Sequence, residues 1–139
     1  ALIDIDHFKT INDTYGHVVG DCVLRQLSQE LRRNLREDDL AGRYGGDEFC
    51  VILPGAHEAQ ACQAMERLRE RVGAYRNPQL PGLRISLSIG LADFRTTLAS
   101  PEHWLEQADK ALYAAKHQGR DQVNFARGEA ALLKLAYPD

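Results

Sequence analysis

Residues 83–91 alternate without interruption. Leu83, Ile85, Leu87, Ile89 and Leu91 are interleaved with Arg84, Ser86, Ser88 and Gly90. A period of two is the period of a strand, so this stretch predicts a strand with one face against a core. On either side the period becomes helical. Leu24, Leu27, Leu31 and Leu35 form one apolar stripe, and a helix is expected from about Asp21 to Leu35. Ala61, Met65, Leu68, Val72 and Tyr75 form a second stripe, and Leu105, Ala108, Leu112 and Ala115 a third. Ser100–Pro101 reads as an N-cap with a first-turn proline, and Gly119 as the stop of that third helix. Phe8, Ile11 and Tyr15 space a short helix that Gly16 can end. Ala1–Asp6, Leu40–Tyr44, Phe49–Leu53 and the residues around Val123 and Phe125 read as further strands. The order is strand, helix, helix, hairpin, helix, strand, helix, strand. It favours an α+β fold of two layers, with helices packed on one face of a mainly antiparallel sheet.

A chain of 139 residues has room for one domain of ordinary size. With 44% hydrophobic and 27% charged residues it can build a core, and no apolar run approaches the roughly 20 residues that cross a bilayer. A net charge of −3 is a poor basis for holding nucleic acid by its phosphates. Cys22, Cys50 and Cys62 are odd in number and form no CxxC pair, which points to a reducing compartment and away from structural zinc. The opening ALIDIDHF lacks the cationic start of a signal peptide and begins inside an element. The expectation is a piece of a cytoplasmic protein, or of the cytoplasmic part of a membrane-anchored one.

The chemistry is carried by acids. Asp4 and Asp6 share a face at the end of the first strand, because they are two residues apart. Asp47 and Glu48 stand with Gly45 and Gly46 at a tight hairpin tip, where glycines allow a sharp bend and close ligand approach. If the first strand lies beside the hairpin, Asp4 and Asp47 converge. Of two carboxylates so placed, one keeps its proton unless a cation sits between them. An all-oxygen donor set suits Mg²⁺ or Mn²⁺, shared with substrate phosphates. Taken singly, such acids are also ordinary solvated turn residues. Cations for phosphate are present in Lys9, Arg43, and the helical pair Lys116 and Arg120, which equally suit a helix C-terminus. No GxxxxGK phosphate loop occurs. Asn12 and Asp21 have the donors and acceptors to read guanine, or serve as a turn residue and an N-cap.

The segments DIDHFKTINDTYGHVVGD (4–21), RYGGDEF (43–49), SIGLA (88–92) and ADKALYAAKHQGRDQV (108–123) closely resemble the GGDEF family of diguanylate cyclases. The resemblance runs over about residues 1–126 and leaves 127–139 as a tail, where Leu132, Leu133 and Leu135 suggest a short helix. It implies a palm-type, ferredoxin-like sheet similar to the nucleotidyl cyclase core. It also implies condensation of two GTP into cyclic di-GMP with release of two pyrophosphates. By position, Asp4, Asp47 and the Ile5 carbonyl correspond to the metal ligands. Asp47 corresponds to the proton acceptor, supported by Glu48. Asn12, Asp21 and His17 correspond to guanine and substrate contacts, and Lys9, Lys116, Arg120 and Arg43 to phosphate contacts. Ser88 and Gly90 read as strand packing.

One site holds one GTP, so the resemblance also implies a homodimer in which each subunit presents a nucleotide. Arg36 and Asp39 form an RxxD set separated from Gly45 by the five residues 40–44, similar to the family's inhibitory site for product; Arg67 would be a second clamp there. A solvated helix end is the plain alternative for RxxD. The family's DxLTGLxNR stretch and the helix before the first strand do not occur in this sequence, and Asp121 stands where the family often has asparagine. An upstream sensory domain is expected in the whole protein. The competing reading is a non-catalytic receptor for GTP or cyclic di-GMP. Such receptors usually lose a glycine or an acid of the hairpin, whereas Gly45, Gly46, Asp47, Glu48 and Phe49 are all here.

Overall fold

The structure, a computed structural model, describes residues 1–94 and 100–126. The expected tail helix over 127–139 lies outside the described residues. The elements are β1 (Leu2–Ile5), α1 (Phe8–Tyr15), α2 (His17–Asn34), β2 (Leu40–Arg43), β3 (Glu48–Ile52), α3 (Glu58–Gly73), β4 (Leu87–Leu91), α4 (Pro101–His117) and β5 (Gln122–Phe125). The strands form one sheet in the order β2-β3-β1-β4-β5. All pairs are antiparallel except β4 with β5. The α+β class, the element order and the palm-type sheet agree with the sequence reading.

The layering differs from that reading. Successive strand residues face opposite ways, and both faces of this sheet are covered. Ile3, Ile5, Val51, Phe49, Leu87 and Ile89 pack with the apolar stripes of α2 and α3 in the larger core. Leu2 looks the other way, toward Ala108 and Leu112 of α4. Gly90 shows how close α4 comes: a Cβ there would stand 2.2 Å from the Ala108 carbonyl oxygen and 2.3 Å from the Leu112 nitrogen. Alternation over 83–91 correctly marks a face, but it cannot show that the interleaved Ser88 and Gly90 face a helix as well.

Element ends shift for local reasons. β4 begins at Leu87 rather than Leu83; Leu83 and Ile85 are buried in the same core without belonging to a ladder. α2 begins at His17, four residues before Asp21, because Gly16 at φ 90° ends α1 and starts α2 in one step. Asp21 therefore lies within α2 and is no N-cap. Ser100 caps α4 as expected, its side chain accepting from the His103 N–H at 3.2 Å, with Pro101 in the first turn. At the other end Gly119 has φ 116° and the Arg120 N–H returns to the Ala115 carbonyl at 2.9 Å, which closes a Schellman motif. Among the described residues, no helix is long and apolar enough to cross a membrane.

Candidate active site

Asp4 sits on the central strand, across from Glu48 of β3 and Ser88 of β4. The Ile5 N–H donates to the Asp47 carbonyl at 3.3 Å, so the hairpin tip is stitched to the end of β1. The convergence expected of Asp4 and Asp47 is found. α4 delivers the third member, with Lys116 Nζ bonded to Asp4 Oδ2.

The electrostatics follow from this crowding. Asp4 is 7% exposed. Burial is the largest influence on its carboxyl and pushes the pKa up; the Lys116 hydrogen bond pulls it down, Asp47 pushes it up again, and it settles at about 6. For Lys116, burial alone would lower the pKa, but the Asp4 hydrogen bond and the charges of Asp4, Glu48 and Asp47 outweigh it and raise it. A single ammonium thus serves three carboxylates. Asp4 Oδ1 remains buried without any hydrogen-bond partner. An orphaned buried carboxylate oxygen is costly. It suits a cation ligand, and the neighbouring acid and carbonyl donors are oxygens, as Mg²⁺ prefers. Among the described residues, no three His, Cys, Asp or Glu side chains cluster tightly enough to hold an ion alone. An ion held by Asp4 and Asp47 alone would have to complete its shell with backbone, water or phosphate oxygens.

Of the two purposes expected of the hairpin glycines, a sharp bend and close ligand approach, the backbone does not call for the first. Neither Gly45 nor Gly46 has a left-handed φ. A Cβ on Gly46 would meet nothing within 4 Å, and one on Gly45 only Glu48, with Oε2 at 3.6 Å. Neither the bend nor the packing requires glycine, so what the missing side chains provide is open space beside the acids. Arg43 clamps this tip: its Nε donates to the Gly45 and Gly46 carbonyls, each at 3.1 Å, and its Nη2 to Gly46 at 2.6 Å.

A groove of about 700 Å³ runs between α2 and the β2–β3 hairpin, lined by Asp21, Leu24, Arg36, Asp39, Arg43 and Phe49 among others. It brings a proposed guanine reader and the RxxD set to one surface. Within the RxxD turn, the buried Asp39 carboxylate accepts from the Arg36 backbone N–H at 2.7 Å and from its guanidinium at 3.4 Å. The guanidinium also donates to the Pro54 carbonyl at 3.2 Å. Asn12 lies against α2, where a Cβ on Gly20 would come within 1.8 Å of Asn12 Oδ1. Lys9, His17 and Arg120 are exposed at the ends of α1, α2 and α4. Arg67 is exposed on α3 and does not line the groove.

Two groups of residues escaped the sequence reading. Asp6 was legible only as sharing a face with Asp4; in the fold its carboxylate accepts from the Ser86 and Ser88 hydroxyls, each at 2.6 Å, and from the Asp121 N–H at 3.1 Å. Gly20 carried no signal at all, since its effect lies in a contact eight positions away.

The chain matches the family described as "Diguanylate cyclase, GGDEF domain" over residues 1–122. It is 43% identical over 125 residues to the probable diguanylate cyclase DgcC of Escherichia coli, covering 90% of this chain and 34% of that protein. It is 44% identical over 128 residues to the diguanylate cyclase DgcP of Pseudomonas aeruginosa, covering 91% of this chain and 19% of that protein. The chain thus spans between about a fifth and about a third of the length of these relatives. Among solved structures, the GGDEF domain of DgcB from Caulobacter crescentus in complex with c-di-GMP superposes with a TM-score of 0.84 at 34% identity, over 91% of this chain and 76% of that one. The active GGEEF domain of a diguanylate cyclase from Vibrio cholerae gives 0.86 at 31% identity, over 92% and 81%.

Proposed function

From the premise that this chain belongs to the GGDEF family of diguanylate cyclase domains, we propose that it is the catalytic domain of an enzyme that condenses two GTP into cyclic di-GMP. The observation that carries this reading is the Asp4–Asp47–Lys116 cluster with its unpartnered Asp4 Oδ1. The hairpin is complete in both glycines and both acids, which favours catalysis over a receptor role.

Asp4 and Asp47, with the Ile5 carbonyl, would hold Mg²⁺ or Mn²⁺. When bound, such an ion supplies charge neutralisation for the triphosphate as pyrophosphate departs. The chain's own residues do the rest. Asn12, Asp21 and His17 hold and read the guanine nucleotide. Lys9, Lys116 and Arg120 bind its phosphates. Arg43 acts at one remove, by fixing the Gly45–Gly46 carbonyls and so the shape of the tip. Asp47, supported by Glu48, takes the proton of an incoming 3′-hydroxyl. That oxygen forms a bond to the α-phosphorus of the other GTP, the α–β phosphoanhydride bond breaks, and pyrophosphate leaves. The same exchange in the opposite sense closes the ring.

Each subunit offers one such site, so the reaction calls for a homodimer that brings two nucleotides face to face. That positioning supplies several kcal/mol of the barrier lowering. Product would bind the Arg36–Asp39 turn and slow the enzyme, with the guanidinium exchanging its Pro54 and Asp39 partners for ligand. The setting is cytoplasmic, under an upstream sensory domain.

The test is a product assay on the complete native polypeptide with GTP and Mg²⁺. Cyclic di-GMP and pyrophosphate are expected, with loss of turnover in Asp47→Ala and weakened product inhibition in Arg36→Ala. Nucleotide binding without turnover in the complete protein would establish the receptor instead.

A further inference from the structure

Three consecutive residues after α4 are left-handed: Gly119 at φ 116°, Arg120 at φ 62° and Asp121 at φ 47°. Glycine adopts this region freely; Arg and Asp do so at a cost, and hold it only where the surroundings fix it. Here they are fixed from two sides. The Asp121 N–H donates to Asp6 Oδ2 at 3.1 Å, and the Asp121 carboxylate pairs with Arg69 of α3 at 2.8 Å. Asp6 is itself held on several sides. It is 6% exposed, its N–H donates to the Ser86 carbonyl at 2.9 Å, and both carboxylate oxygens are engaged by the serines at the start of β4.

We infer that Asp6 is a positioning residue: it ties the end of β1, two residues beyond Asp4, to the left-handed turn that aims Arg120 at the substrate's phosphates. The inference rests on the proposed phosphate-binding role of Arg120. A buried carboxylate with three donors is more than strand pairing needs, since the ladders of β1 with β4 and β4 with β5 are made by backbone groups. What the third donor adds is a bond to the backbone N–H next to Arg120, which holds the turn from the β1 side while the Arg120 side chain stays exposed. The metal-binding strand and the phosphate-binding arginine then move as one body, and the ionic partner Arg69 braces the turn from the opposite element.

The experiment uses the complete native polypeptide and steady-state kinetics with GTP and Mg²⁺. Asp6→Ala and Arg120→Ala are each expected to raise the KM for GTP about tenfold, with a smaller change in kcat. Asp6→Asn keeps an acceptor for the Asp121 N–H and is expected to recover most of the loss. The two effects must not add: in an Arg120→Ala background, Asp6→Ala is expected to change KM less than twofold. A full tenfold effect in that background, or an unchanged KM in Asp6→Ala, would overturn the assignment. If Asp6→Ala does not fold, the same comparison is made with Asp6→Asn and with Ser86→Ala, and additivity of either with Arg120→Ala overturns it. A wild-type protein that turns over no GTP would instead remove the reading of function on which this rests.

Discussion

Lys116 reaches across from α4 to bind one oxygen of Asp4, and the other oxygen of the same carboxylate is buried with no partner. The metal-free site is therefore half neutralised. An acid whose pKa rises on folding, here from 3.8 to about 6, keeps its proton in the native state where the unfolded chain has released it. Its contribution to stability thus falls as pH rises from about 4 to 6 and is lost above that. Without divalent metal, the melting temperature of the wild type relative to Asp4→Asn should fall over that window. Mn²⁺, which needs the ionised carboxylate, should reverse the sign of the difference above pH 6. Thermal scans at pH 5 to 8, with and without Mn²⁺, check this; a difference that does not depend on pH would exclude the burial of charge at Asp4.

Lys116→Ala separates the two tasks of that ammonium. Removing it leaves a buried carboxylate with neither oxygen paired, a loss of about 1–3 kcal/mol in metal-free protein. Divalent metal should restore most of that stability but none of the phosphate affinity. Denaturant melts with EDTA or Mn²⁺, alongside pyrophosphate binding by calorimetry, read the two separately. Equal destabilisation with and without metal would show that Lys116 is a packing residue.

How far the site was legible depends on the range of each contact. The acids of β1 and of the hairpin could be paired from sequence because two short strands flanking a tight tip leave few ways to place Asp47. The Schellman end of α4 was legible at Gly119, since one residue type does the work locally. The second covered face was not, because Ser88 and Gly90 look like solvent-side residues in a period-two pattern. Serine faces inward there only because Asp6 accepts its hydroxyl, and glycine only because α4 passes over it. Both facts belong to pairs more than 15 residues apart. The early start of α2 was missed for a related reason: Gly16 ends one helix and begins the next, and a leucine stripe that begins at Leu24 cannot register the turns before it.

Gly20→Ala addresses guanine reading without touching a guanine reader. The new methyl would stand 1.8 Å from Asn12 Oδ1, far inside contact distance, so the Asn12 side chain must leave its place. The obstacle is a side chain, so the domain should fold with a loss of about 1–3 kcal/mol. The guanine edge would lose a polar partner, and the KM for GTP should rise about tenfold while discrimination against ATP drops. Competition between GTP and ATP in a binding assay checks it. Unchanged selectivity in a folded variant would remove Asn12 from the base-reading set.

Gly90→Ala puts the same added methyl against an obstacle that cannot turn aside. Its neighbours are the Ala108 carbonyl oxygen at 2.2 Å, the Leu112 nitrogen at 2.3 Å and the Leu112 Cα at 2.8 Å, all backbone of α4. Relief requires the helix to lift from the sheet, breaking its contact with Leu2 and carrying Lys116 away from Asp4. The loss of stability should exceed that of Gly20→Ala and reach roughly 3 kcal/mol or more, beyond ordinary overpacking. In whatever fraction folds, Mn²⁺ affinity should rise instead, because the acids stay on β1 and the hairpin while the ammonium that competes with the ion for Asp4 moves away. Urea unfolding gives the first quantity and metal titration of the folded fraction the second. A Gly90→Ala protein as stable as the wild type would mean that α4 does not ride on β4 as closely as these distances require.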